Sequence, residues 1–148
     1  MERTRRWMLG VLVLAFVGTS AELLLIGHTE EIMQLLPLIL LGLGLVATGA
    51  VWLRPKRTVV QLFRLLSGLF IVAGVLGVIL HYRGNAEFEL EMRSSMAGLD
   101  LVWNSLTGAT PALAPGGMIP LGLIGLIAMY RHPAMKPERT STTDRGNE

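Results

Sequence analysis

The residues of this chain most able to carry chemistry are a carboxylate, an amide and an imidazole inside apolar stretches: Glu22, Gln34 and His81. An ionisable side chain in such a stretch is costly unless it faces other helices or a wet cavity. Glu22 and His81 each follow two small residues that lie one and two helical turns back. Small residues favour close packing of helices. Both side chains are therefore expected to point into a helical bundle.

These three residues are predicted to form one polar layer. At about 1.5 Å per helical residue, Glu22 and His81 lie at similar heights near one end of their apolar stretches. We expect them to face each other, with Gln34 entering the same layer. Further candidate ligands are expected just above it, on the outer face: His28, Glu30, Glu31, Asn85 and Glu87.

Three interpretations of this layer remain open. A carboxylate beside an imidazole can bind a divalent metal or relay a proton, and it can equally form a structural hydrogen-bonded cluster. No His-x-x-x-His or His-Glu-x-x-His pair is present, so metal ligands would have to converge from separate segments. The structural cluster is favoured. No catalytic residue and no cofactor is predicted, and whether the layer holds a metal is left open.

The elements that position this layer are predicted to be all α-helical, forming a four-helix transmembrane bundle. Residues are 51% hydrophobic and 16% charged, and the apolar stretches cover about 7–27, 32–53, 62–82 and 112–131. Each stretch is close to the ~20 residues that cross ~30 Å of hydrocarbon. Residues 1–131 are expected to form one membrane domain, followed by a disordered cytoplasmic tail, 132–148.

The distribution of charge predicts the orientation of these spans. Of the 13 Lys and Arg residues, all except Arg83 and Arg93 lie before the first stretch, between the second and third with Arg64 just inside the third, or from Arg131 at the end of the fourth onwards. The positive-inside rule then places both termini in the cytoplasm and residues 83–111 outside. We expect a multi-pass protein of a bacterial inner membrane. Because the basic residues are spread over three edges, no nucleic-acid partner is predicted.

The N-terminus also has features of a secretory signal, with basic residues before an apolar run and small residues near Ala21. The apolar character resumes at 23–26, which gives a span of full length. An uncleaved anchor is therefore expected.

The outer segment contains a mixture of patterns. Residues 87–92 alternate between acidic and apolar types, which is typical of a half-buried strand. Residues 95–106 have helical spacing, which predicts an amphipathic helix on the outer membrane surface or across the mouth of the bundle. Three prolines within 109–120 require the fourth helix either to begin near Thr110 or Ala112 or to follow a buried non-helical entry.

The expected partners are lipid and protein. Aromatic residues near the ends of the predicted helices are expected to anchor the chain at the membrane interfaces: Trp7, Trp52, Tyr82, Trp103 and Tyr130. Glycine-rich helix faces are expected to bind a protein partner or a second copy. The chain contains no cysteine, which excludes disulfides and thiol chemistry. The favoured function is a structural or accessory role in a larger membrane assembly. The alternatives are an ion- or proton-coupled transporter component using Glu22 and His81, and a metal-dependent membrane enzyme.

Overall fold

The computed structural model describes residues 2–27, 29, 32–108 and 110–136. Its regular structure is helical throughout this part of the chain. In chain order the helices are α1 (Glu2–Leu25), α2 (Ile32–Leu53), α3 (Arg57–Met92), α4 (Gly98–Thr107) and α5 (Met118–Ala128). Short 3₁₀ turns cover Ala114–Gly117 and Pro133–Met135.

Three of these helices, α1, α2 and α3, are long and apolar enough to cross a membrane by length and composition. Helix α1 ends at Leu25, and Gly27, two residues later, has a φ of +69°, which glycine adopts without the steric cost that other residues meet. The second predicted span, 32–53, coincides with α2, and Pro37 lies inside that helix.

The core lies where α1, α2, α3 and α5 meet. Both α1 and α3 pack against α2 and against α5. Phe16 of α1 and Phe70 of α3 stack across the centre, with ring centroids 5.1 Å apart. Gly44 of α2 permits this contact, because a Cβ at Gly44 would lie 3.0 Å or less from atoms of both rings.

Residues 87–92 continue α3, so their alternating pattern does not correspond to a strand. A lone strand would leave backbone hydrogen-bonding groups unpaired, whereas a helix pairs them within the segment. The helical spacing also brings Arg93 to Glu89, where Arg93 Nη2 donates to Glu89 Oε2 at 2.9 Å. The alternation over these six residues therefore did not indicate the secondary structure.

The predicted amphipathic helix of the outer segment is present as α4, which begins at Gly98 and packs back against the outer part of α3. The fourth apolar stretch differs from a continuous helix over 112–131. A turn and the 3₁₀ segment Ala114–Gly117 precede α5, which has 11 residues and spans about 17 Å. Pro111, Pro115 and the glycines that follow explain this irregular entry. It matches neither expected arrangement fully: the 3₁₀ segment contacts α3, but its residues are half-buried or exposed.

Candidate functional site

The predicted polar layer can be located on the helices. The Glu22 side chain is exposed on α1, and Gln34 is half-buried near the start of α2. His81 is half-buried on α3, and its Nδ1 is buried without a hydrogen-bond partner in the described residues. His81 Nδ1 therefore makes no hydrogen bond to Glu22. The function predicted for this layer stays a prediction.

The candidate ligands above this layer differ in their position and exposure. His28, Glu30 and Glu31 lie outside the described residues. Glu87 is exposed on α3, whereas Asn85 is 5% exposed. Within the described ranges, no group of three or more His, Asp and Glu side chains is placed to hold a metal ion.

Asn85 connects three parts of the outer end through its side-chain amide. Asn85 Nδ2 donates to the carbonyl oxygen of Ser105 at 2.8 Å and to that of Thr110 at 2.7 Å. Asn85 Oδ1 accepts from Thr110 Oγ1 at 2.6 Å and from the Thr110 backbone N–H at 3.4 Å. All four hydrogen-bonding positions of the amide are thus used.

This arrangement gives Asn85 a structural role. It ties the end of α4 and the following segment to α3, and Gly108 fits against it because a Cβ there would lie 3.0 Å from Asn85 Cγ. With its donors and acceptors occupied, the amide is not available as a ligand. Sequence reasoning placed Asn85 in the outer layer but missed this role. The available signal was its spacing, since Asn85 lies four residues after His81 and therefore shares its helix face.

A line of close backbone contacts joins α3 to α5 and to the segment before it. We call these contacts the α3–α5 seam: Ser67, Gly74 and Gly77 on α3 against Pro115, Ile119, Gly122 and Gly125. A Cβ on Gly122 would collide with the Ser67 carbonyl oxygen and lie 2.6 Å from Ile71 Cγ1. A Cβ on Gly77 would lie 2.5 Å from Pro115 Cβ. Glycine is therefore required here for the helices to approach.

At the opposite end of the molecule, basic side chains from the N-terminal part of α1 contact the ends of α2 and α5. Arg5 Nε donates to the Ala128 carbonyl oxygen at 2.7 Å, which satisfies a free carbonyl at the end of α5. The Arg6 guanidinium lies 5.5 Å from the centroid of the Trp52 ring, a cation–π contact. These contacts bring the first basic cluster to the same end as the C-termini of α2 and α5.

His132 is buried beside this basic cluster. Its Nδ1 accepts a hydrogen bond from the Ala134 backbone N–H at 3.1 Å. Burial lowers the pKa of His132 below its usual 6.5, the nearby Arg5 guanidinium lowers it further, and Glu2 opposes this shift. The ring therefore favours its neutral form, with the proton on Nε2. His132 is thus buried and Ala134 and Met135 pack against the core, so the predicted disorder does not begin at residue 132; residues 137–148 lie outside the described residues.

The predicted anchors are found on the surface of the described chain. Trp7, Trp103 and Tyr130 are each at least 67% exposed, Trp52 is 41% exposed, and Tyr82 is half-buried. Their exposure is compatible with a position at a membrane interface, where an aromatic ring meets both apolar and polar groups.

Comparisons of this chain with protein-family models, with curated proteins and with solved structures gave no match. Its function has to be argued from its own residues.

Proposed function

We propose that this chain is a small multi-pass integral membrane protein with a structural or accessory role in a larger membrane assembly. The observation that carries the proposal is the contrast between its surface and its interior. Large apolar side chains are exposed along all three long helices, among them Leu14, Val46 and Leu65 at 64% or more. Water would not tolerate such a surface, whereas lipid and partner helices would cover it.

Most buried polar groups of the described interior are used in folding, and His81 Nδ1, which is buried without a hydrogen-bond partner, is the exception. Thr48, Ser67 and Ser105 are buried, and each donates its hydroxyl to the carbonyl four residues earlier at 2.7–2.8 Å. The four hydrogen bonds of Asn85 likewise use every donor and acceptor position of its side-chain amide. An ion or proton path needs polar groups that stay open to a solvent or a substrate. The described core therefore favours an accessory role.

The proposed arrangement is a four-helix bundle in which α5 and its 3₁₀ entry complete the three long helices. The orientation of this bundle is supported by the basic residues at one end. There the Arg6 guanidinium lies over the Trp52 ring, and Arg5 donates to the Ala128 carbonyl oxygen. By the positive-inside rule this end faces the cytoplasm, together with both termini. The α3–α4 turn then lies outside, and a bacterial inner membrane is the proposed location.

The proposed partner surface is the open face of α2, defined by Gly42 and Gly49. These glycines lie seven residues apart, or about two turns, and therefore point in nearly the same direction. A Cβ added at either would meet nothing within 4 Å. Exposed Val46 lies between them at 71% exposure. Such a notch lets a second helix approach closely in lipid.

The test has two stages. First, the protein should remain with membranes after alkaline carbonate washing and should float with vesicles; release into the supernatant would refute the membrane assignment.

Second, the double substitution Gly42→Leu and Gly49→Leu should reduce recovery of co-purifying protein, or of the homo-oligomer, at least about fivefold. Leu43→Ile, on a neighbouring exposed residue, is the matched control and should have no effect. Equal recovery with the double variant and the control would refute the proposed partner surface.

A further inference from the structure

A cleft at the end of the molecule that carries the basic residues has the chemistry of an anion site. We call it the inner cleft: it lies between the first turns of α1, the end of α2 and His132, and has a volume of about 150 Å³. Arg5, Arg6, Glu2 and His132 supply its polar wall, and Leu9, Val51 and Trp52 supply its apolar wall. A ligand that fits must therefore present a compact polar group beside an apolar one.

Among the described residues, no carboxylate forms an ion pair with either guanidinium group of the inner cleft. Glu2 lines the same cleft, yet the ion pair of Glu89 with Arg93 is the one found in the described residues. Arg5 instead binds the carbonyls of Ala128 and Tyr130, and Arg6 lies over Trp52. Both side chains are thus held in place without neutralisation of their charge.

Held guanidinium groups suit a phosphate oxygen acceptor. Arginine presents several N–H donors in a planar fork that matches phosphate geometry, and weak hydration makes it the favoured residue for such contacts. His132 adds a neutral ring whose Nδ1 is already used by Ala134, which leaves Nε2–H as a donor. The carboxylate of Glu2 disfavours a multiply charged anion and favours a singly charged phosphodiester.

The position of the inner cleft decides between lipid and free phosphate as the source of this group. Its apolar wall includes Leu9, Val51 and Trp52, and large apolar side chains are also exposed elsewhere on α1 and α2, among them Val11 and Val46. A phosphodiester that carries acyl chains would satisfy both walls, whereas inorganic phosphate would leave the apolar wall empty. Basic pockets between membrane helices on the cytoplasmic side recognise anionic headgroups in this way.

We propose that the inner cleft binds the phosphodiester headgroup of an anionic phospholipid of the cytoplasmic leaflet. This inference rests on the proposed membrane location and adds a specific ligand to it.

The test uses Trp52 as the reporter of bound lipid. With Trp7→Phe and Trp103→Phe, Trp52 is the only tryptophan left. The protein is reconstituted into phosphatidylcholine vesicles that contain increasing fractions of brominated phosphatidylglycerol, or of brominated phosphatidylcholine as the neutral probe. We expect stronger quenching by brominated phosphatidylglycerol at equal fractions. Arg6→Gln should weaken its apparent affinity about fivefold, because the variant loses a direct hydrogen bond to the phosphate.

Arg3→Gln is the matched control, because it removes the same charge from the same helix end but does not line the cleft. It should change the apparent affinity less than twofold. Equal losses with Arg3→Gln and Arg6→Gln would show general surface attraction and would overturn the proposal. Equal quenching by the two brominated lipids would also overturn it.

Two further measurements separate the possible failures. Displacement of brominated phosphatidylglycerol by millimolar inorganic phosphate, with choline chloride at equal ionic strength as the control, would identify free phosphate as the ligand and overturn the lipid assignment. Flotation of the vesicles is checked before quenching. Protein that does not float would refute the proposed membrane location, whereas protein that floats without preferring phosphatidylglycerol would refute the lipid site alone.

Discussion

The α3–α5 seam and the open face of α2 are both rich in glycine, yet the structure uses them in opposite ways. In the seam, Gly122 and Gly125 lie against Ser67 so closely that a Cβ on either would collide with it. On α2, Gly42 and Gly49 would accept a Cβ without meeting any atom within 4 Å. The same residue type thus closes the fold in one region and leaves an unfilled notch in the other.

The α3–α5 seam therefore contributes to folding of the chain, whereas the open face of α2 is proposed for association with another helix. In lipid, helices gain little from burying apolar surface, so close packing between small residues supplies much of the attraction. The seam uses that packing within the chain and is extended at its outer end by the hydrogen bonds of Asn85. In our proposal, the open face of α2 leaves the same kind of packing available to another helix. Substitutions in the two regions should therefore change different measured quantities.

The largest effect is expected from Gly122→Leu. The new side chain would overlap the Ser67 carbonyl oxygen and Ile71, so α3 and α5 would have to separate. We expect the free energy of unfolding, measured by denaturant titration in mild detergent, to fall by about 3 kcal/mol.

Gly42→Leu is the control for this measurement, since it makes the same chemical change on the open face. It should alter the free energy of unfolding by about 0.5 kcal/mol or less. Equal destabilisation by the two variants would contradict the distinction between the two regions.

A smaller effect is expected from Asn85→Leu, which tests the outer extension of the seam. Leucine would leave the Ser105 and Thr110 carbonyls and the Thr110 N–H without the partners that Asn85 provides. A loss of about 2 kcal/mol is expected from unpaired buried groups. Proteolysis between α3 and α4 should also become faster.

Asn104→Leu provides the comparison for Asn85, because the Asn104 amide binds mainly within its own helix, to the Asp100 carbonyl oxygen. Its substitution should cost about 0.5 kcal/mol or less. If Asn85→Leu lowered the free energy of unfolding no more than Asn104→Leu, the structural role of Asn85 would be refuted.

The smallest effect is expected at the inner end of the molecule, where pH should act through His132. Its pKa in the fold is lowered by burial and by Arg5, so the unfolded chain binds a proton more readily. Stability should therefore be fully present above about pH 6.5 and should decrease as the pH falls from there towards the folded pKa. His132→Gln should reduce this pH dependence when unfolding is followed between pH 7.5 and 5. An unchanged slope would show that His132 does not contribute to it.

The sequence predicted the helical class and the bounds of α2 because the length of an apolar stretch is a local signal. It failed at residues 87–92, where six alternating residues were too few to outweigh continuation of α3. It also could not distinguish Gly42 from Gly44, which lie two residues apart on α2. Whether the space beside a glycine is filled depends on which helix lies opposite, and a single sequence does not contain that information. The role of Asn85 was missed for the same reason, since Ser105 and Thr110 reach it only through tertiary packing.

The central claim is that the long helices cross a membrane with their basic ends on the cytoplasmic side. The chain contains no cysteine, so single substitutions can be labelled without background. Ser95→Cys, in the turn between α3 and α4, and Thr58→Cys, in the first turn of α3, lie at opposite ends of the molecule. In sealed right-side-out vesicles, a membrane-impermeant maleimide should label the Ser95→Cys variant at once and the Thr58→Cys variant only after permeabilisation. Labelling of both variants from the same side of an intact membrane would contradict the claim.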